Sequence, residues 1–254
     1  MIKGNFKGNF KGKLGGYKEP SKGMNELLAY YNFVSDQREG FVRIMLHINK
    51  LINQLKDNGN ISEYVELRAR IKAPMSAIRN DRKKTLDDVF GMEVLTATES
   101  EIEIVKNEIE KYMIANEERC NKWDKPNGYK AEHRMLTLRK DKTEQLGLEN
   151  EEYENIPEIE FQFKTFEVAI NAAIGNASHS KYKNVNQAEI QERYDTNGFS
   201  KNQIPIMWVS DHGRMRALSN EEILKKMYPF LDTRKNKDRD KDEGEEREWK
   251  NQNY

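Results

Sequence analysis

Two carboxylates are the first residues here that could do chemistry. Asp88, in Asp87-Asp88-Val89-Phe90-Gly91, and Glu160, in Glu160-Phe161-Gln162-Phe163-Lys164-Thr165, both fall where the pattern reads as strand. Between them Asn127-Gly128-Tyr129 sets an aromatic ring in a glycine turn, and His179-Ser180-Lys181-Tyr182-Lys183 follows. Upstream, Arg70 and Lys72 bring positive charge to the end of another strand-like run. Acids that can hold a divalent cation, beside cations that can hold phosphate oxygens, are what a metal-assisted phosphate transfer needs. Each residue also has a plain structural reading. Asp88 would be a turn acid, Glu160 an exposed strand residue, Tyr129 a surface aromatic, and His133 or His179 a satisfied core histidine.

The elements that must position these groups follow from periodicity. Leu27, Tyr31, Val34, Phe41, Met45, Ile48, Ile52 and Leu55 recur at helical spacing, which predicts one long helix or two broken near Gly40, ended by Asn58-Gly59-Asn60. Ile61 to Ile71 reads as a strand that delivers Arg70 and Lys72. Ala73-Pro74-Met75-Ser76 breaks it and opens a short helix, because proline suits a first turn. The segment to Lys84 is basic, through Arg79, Arg82 and Lys83. Val89 to Leu95 reads as a buried strand. Thr98 with Glu101 forms a capping box, and Ile102, Val105, Ile109 and Met113 form one helical face. After a polar loop, Lys130 to Leu138 returns as a strand. Strand, helix, strand predicts a right-handed crossover and a mixed α/β sheet flanked by helices.

Asp141 to Asn155 is a polar excursion. In Ile156 to Phe163 the alternation puts Ile159, Phe161 and Phe163 on one side and Glu160 and Gln162 on the other. Thr165 to Ala177 reads as an alanine-rich helix, Ile204 to Val209 as a strand, and Ser219 with Glu222 caps a last helix to about Tyr228. The predicted organisation is a flexible basic arm over 1–23, a helical segment over 24–59, a core over 60–185, a strand and helix completing the domain over 186–230, and a charged tail over 231–254.

Composition narrows the class. The chain has 254 residues, 43 Lys and Arg against 43 Asp and Glu, so net charge points to no polyanion partner and any basic patch is local. The arm repeats Lys-Gly-Asn-Phe at 3–6 and 7–10, a lysine and phenylalanine interleaving that suits RNA, although a solvated tail is the plainer reading. The single cysteine, Cys120, excludes an intramolecular disulfide, and neither a CxxC nor an HExxH pattern suggests zinc. With no apolar run of membrane-spanning length and no signal-peptide core, the expectation is a soluble cytoplasmic protein without a membrane partner.

With these residues in hand, the chain resembles the synthetase domain of the RelA/SpoT family of (p)ppGpp synthetases over roughly residues 60 to 185. Arg70-Ile71-Lys72 with Ser76 is similar to the family's Arg-x-Lys and Ser, and Asp88-Val89-Phe90-Gly91 to its Asp-x-x-Gly. Asn127-Gly128-Tyr129-Lys130-Ala131-Glu132-His133, the Glu160 to Thr165 run and the His179 to Lys183 run match three further motifs in order. The resemblance implies a nucleotidyltransferase-like synthetase fold. It also implies a Mg²⁺-dependent pyrophosphokinase that moves the β,γ-pyrophosphoryl group of ATP to the 3′-hydroxyl of GDP or GTP. By the same resemblance, Asp88 and Glu160 hold Mg²⁺, with Glu160 also helping to deprotonate the hydroxyl. Arg70, Lys72, Ser76 and Arg79 meet the donor, while Tyr129, His133, Gln162 and Lys164 meet the acceptor.

Several positions depart from the family pattern. Glu93 stands where the family has an arginine that stacks on the donor adenine, Ala131 replaces a serine and Lys164 an arginine. Ala169 stands where some members place a His or Asn. A carboxylate at position 93 cannot stack as a planar cation and repels phosphate, so donor binding is expected to be rearranged, weakened or absent. The short chain suggests a small stand-alone member, of alarmone-making or toxin type. The acceptor stays open among GDP, GTP, ATP and the CCA end of tRNA, as do an antitoxin partner, self-association and a catalytically degenerate nucleotide-binding role.

Overall fold

The computed structural model describes residues 22–78, 86, 88–125, 130–146, 156–173 and 186–231. The chain's first element, α1 (Lys22–Asp57), is a single helix of 36 residues. Gly40 does not break it. A helical glycine costs roughly 1 kcal/mol, whereas Phe41, Ile44, Met45 and Ile48 beside it are almost fully buried, each worth about 1.5–3 kcal/mol. The helix stops where the sequence suggests. Gly59 takes φ 70°, and the amides of Gly59 and Asn60 close on the carbonyls of Lys56 and Leu55, a C-cap in the left-handed region that glycine enters without strain.

The strands are β1 (Glu66–Ile71), β2 (Phe90–Thr96), β3 (Met113–Ala115), β4 (Asn121–Asp124), β5 (Lys130–Leu138), β6 (Ile159–Thr165), β7 (Ile206–Asp211) and β8 (Arg214–Ala217). They form one mixed sheet in the order β3-β5-β6-β2-β1-β7-β8, with β4 paired to β5. β2 and β6 run parallel, and the other pairings are antiparallel. The helices after α1 are α2 (Pro74–Ile78), α3 (Glu99–Glu110), α4 (Phe166–Ala173), α5 (Gln187–Asn197) and α6 (Asn220–Met227). This is the mixed α/β sheet flanked by helices that the alternation implied.

Strand parity assigns the two faces. Leu67, Ala69 and Ile71 of β1, Met92 and Val94 of β2, and Ile159, Phe161 and Phe163 of β6 all point into the main core. There they meet Phe41, Ile44 and Ile48 of α1 and Val105 and Ile109 of α3. The opposite face carries Arg68, Arg70, Glu93, Glu160 and Gln162. A smaller core of Tyr194, Ile204, Ile223, Leu224 and Leu231, with Met207 against it, packs α5 and α6 by β7.

Four local readings change. Residues 61–65 form no strand: pairing with β2 begins at Glu66, and before it the Ser62 amide donates to Glu101 Oε1 at 2.7 Å. Met113 leaves the helix and pairs with Leu138 in β3; it is buried in the same core, so its spacing mimicked the helical stripe. The polar loop contains β4, whose residues are all exposed and so lack any alternation. Finally, β7 starts at Ile206 and turns through His212 (φ 45°) and Gly213 (φ 75°) into β8, a two-residue hairpin of the kind that needs positive φ at both positions. Both expected capping boxes are present, at Thr98 with Glu101 and at Ser219 with Glu222.

The basic arm up to residue 21 and the tail from 232 lie outside the described residues, as does most of the 141–155 excursion. Among the described residues, no helix is long and apolar enough to cross a membrane.

Candidate active site

Sheet register builds the site in rows across the polar face. One row runs Arg70 on β1, Gly91 on β2 and Glu160 on β6. Because Gly91 has no side chain, the Arg70 guanidinium passes over β2, and its Nη2 lies 3.5 Å from Glu160 Oε2. A Cβ at position 91 would stand 3.3 Å from Arg70 Nε and 3.7 Å from the Glu160 carbonyl oxygen. The next row runs Arg68, Glu93, Gln162 and His133. Gln162 Nε2 donates to Glu160 Oε2 at 3.0 Å, and His133 Nδ1 lies 3.2 Å from Glu160 Oε1.

Glu160 is thus engaged at both oxygens with its side chain only 16% exposed. Burial alone pushes its carboxyl upward. The hydrogen bond with His133, the Arg70 guanidinium and Gln162 outweigh burial and bring it down to about 2. A carboxylate held so firmly ionised is suited to binding a cation and is a weak proton acceptor until its partners are drawn away.

Asp88 lies just before β2, with its backbone at φ 59°, a left-handed conformation uncommon for a residue with a side chain, though less so for Asp. Its carboxylate accepts from Lys72 Nζ at 3.0 Å. Lys72 follows β1, and its amide donates to the Val89 carbonyl at 2.8 Å, so the two segments that carry the pair are stitched together. Ser76 is exposed on α2, the short helix that Pro74 opens. Arg79, Tyr129 and the His179 to Lys183 run lie outside the described residues.

Glu93 is not a bare carboxylate facing a phosphate. Lys164, itself 7% exposed, forms an ion pair with it, and Arg68 Nη1 donates to Glu93 Oε2 at 3.2 Å. Burial pushes the Glu93 carboxyl up, and Lys164 and Arg68 more than offset this, so it stays ionised. Arg68 Nε also bonds Glu66 Oε1 at 2.6 Å, giving a ladder Glu66–Arg68–Glu93–Lys164 across three strands. Lys164, assigned by resemblance to the acceptor, is therefore committed to Glu93. Arg68 was not singled out from the sequence, although its parity with Arg70 on β1 was a readable signal.

Among the described residues no three His, Cys, Asp or Glu side chains cluster to hold an ion. Asp88 and Glu160 each stand beside a cation, Lys72 and Arg70 respectively.

Residues 47–187 match the family described as "Region found in RelA / SpoT proteins". The chain belongs to the RelA/SpoT family, and with it to the GTP/GDP diphosphokinase type of transferase, with pyrophosphokinase activity of the (p)ppGpp kind. Similar solved structures include small alarmone synthetase 1 from Bacillus subtilis, with TM-score 0.46 and 16% identity over 65% of this chain and 86% of that one. The same enzyme bound to its product pppGpp has TM-score 0.46 and 18% identity over 64% and 86%. Small alarmone synthetase 2 from Bacillus subtilis has TM-score 0.42 and 18% identity over 66% and 87%. No curated protein matches the chain.

Proposed function

We propose that the protein transfers the β,γ-pyrophosphoryl group of ATP to the 3′-hydroxyl of GDP or GTP in a Mg²⁺-dependent reaction. The observation that carries this reading is the row Arg70–Gly91–Glu160, which sets an ionised carboxylate against a cation across a side-chain-free strand position. Asp88 and Glu160 would hold Mg²⁺, which when bound would neutralise the donor phosphates and polarise phosphorus for attack. Arg70 and Lys72 take the donor phosphates, together with Ser76 of α2 and Arg79. Drawn onto phosphate, Arg70 leaves Glu160, which removes one of the charges that hold the carboxyl down, while His133 and Gln162 keep it oriented toward the hydroxyl whose proton it helps to take. The acceptor oxygen bonds the β-phosphorus, the bond from that phosphorus to the α-bridging oxygen breaks, and AMP leaves. His133 and Gln162 hold Glu160 in place from the acceptor side, and Tyr129 supplies the stacking ring for the acceptor base.

Glu93 costs the donor side an arginine but brings no free negative charge to it, since Lys164 and Arg68 neutralise it. That weighs for a rearranged donor half over a dead one. The test is incubation with γ-labelled ATP and Mg²⁺ and, in parallel, GDP, GTP, ATP and bulk tRNA. The expected result is label on a 3′-pyrophosphorylated guanine nucleotide, strongly reduced with Glu160→Gln. Label on tRNA alone would move the acceptor to the CCA end, and no labelled product from folded, Mg²⁺-supplied protein would sink the reading.

A further inference from the structure

A second cleft, of about 540 Å³, opens between the first half of α1, the end of β1 and the segment leading into β7. It includes neither Glu160 nor Arg70 and touches the candidate active site only at Lys72. Its lining holds Arg38, Lys72 and Lys201 and, among the described residues, no carboxylate. Three other clefts on the protein all mix cations with acids: Lys122 and Lys130 with Glu99 and Glu132, Lys56 with Asp57 and Glu63, and Arg68 with Glu93. In a chain with 43 residues of each sign, a cleft lined by one sign is a local decision. Lys72 pairs with Asp88 and is already assigned to the donor phosphates, whereas Arg38 and Lys201 are exposed and have no ion pair among the described residues. A cleft of this charge attracts an anion.

The same cleft presents a ring. Tyr31 is 45% exposed and meets buried Tyr30 edge-on, with centroids 5.5 Å apart. Its hydroxyl donates to Asn202 Oδ1 at 2.5 Å, so the ring is held from both ends while part of it stays open. Tyr30 in turn donates to the Lys72 carbonyl at 2.5 Å, which fixes the floor of the cleft to the end of β1. Tyr31 and Arg38 stand two helical turns apart on one side of α1, about 10 Å along the axis. That span suits a base at one end and phosphates at the other.

We infer that this cleft is a nucleotide-binding site distinct from the catalytic row, with the base of a nucleoside polyphosphate against Tyr31 and its phosphates between Arg38 and Lys201. Stacking on an open aromatic ring, with charge-assisted contacts to phosphate, is the general chemistry of such recognition. The pocket volume falls in the range of small-molecule sites.

The test is photolabelling with 8-azido-ATP followed by peptide mapping, in the wild type, in Asp88→Ala/Glu160→Gln and in Arg38→Glu/Lys201→Glu. Saturable label is expected on the peptide that contains Tyr31, competed by ATP and not by adenosine. It should persist in the Asp88→Ala/Glu160→Gln protein, so the result stands whether or not the transfer reaction does. Reversal of Arg38 and Lys201, both exposed, should leave the melting curve unchanged and reduce this label at least about tenfold. Label confined to other peptides, or undiminished by that reversal, overturns the site. Competition by inorganic phosphate as effective as by ATP overturns the nucleotide assignment.

Discussion

Glu160 has both carboxylate oxygens occupied before any substrate arrives, by His133 on one side and by Arg70 and Gln162 on the other. Glu160→Gln should therefore lower product formation by about 10²–10³-fold, the scale of losing one organised electrostatic group, as read by labelled-nucleotide transfer on protein of unchanged circular dichroism. The same contacts set a pH dependence. The folded carboxyl sits at about 2 against 4.5 for an unperturbed one, so the folded form binds its proton less readily than the unfolded. The stabilisation is complete above about pH 4.5, is lost as pH falls toward 2, and is on the order of 3 kcal/mol. Thermal melts from pH 6 to 2 should show wild type and Glu160→Gln converging at the acid end; a constant gap would refute the assignment. Gly91→Ala puts a Cβ 3.3 Å from Arg70 Nε. It should displace the guanidinium and lower kcat/KM for ATP by roughly tenfold, with little change in melting temperature.

Between elements, the ladder Glu66–Arg68–Glu93–Lys164 ties β1, β2 and β6 together on the polar face. Glu93→Arg, which would restore the residue type of the wider family, here leaves buried Lys164 beside two arginines. It should destabilise the fold by on the order of 3 kcal/mol, measured by urea unfolding, and Lys164→Glu in the same protein should recover much of it. Absence of recovery would show that the pair is not the cause. On the other face the load falls on apolar packing. Phe41, fully buried, meets Phe90 at 5.0 Å and Trp208 at 6.1 Å between centroids, so Phe41→Ala should cost about 3–5 kcal/mol. Much of this scale was legible in advance. Helical spacing located α1, the capping boxes located the starts of α3 and α6, and alternation put Glu160 and Gln162 opposite Phe161 and Phe163. β4 was not legible, because none of its residues is buried, and β3 was hidden because buried Met113 continued the helical stripe.

For the whole molecule, net charge is zero while charge is sorted locally: a ladder of paired groups on one face of the sheet and, beside the end of β1, a cleft whose charged lining among the described residues is all cationic. Nucleotide with Mg²⁺ should stabilise the folded state by about 2.7 kcal/mol at a hundred times its Kd, raising the melting temperature by several degrees. The part of that shift lost with EDTA should also be lost in Asp88→Ala. By itself the sequence determined what depends on near neighbours along the chain: which residues alternate inward, where helices are capped, and that Asp88, Glu160, Arg70 and Lys72 occur on strand-like or turn positions. It also carried the order of motifs by which the family is recognised. Only the tertiary structure decided that β1 and β6 flank β2, so that Arg70 reaches Glu160 across Gly91 and Glu93 is neutralised by Lys164 and Arg68. Those contacts depend on which distant strands pair, and that is set by burying both cores at once. No short window of the chain encodes it.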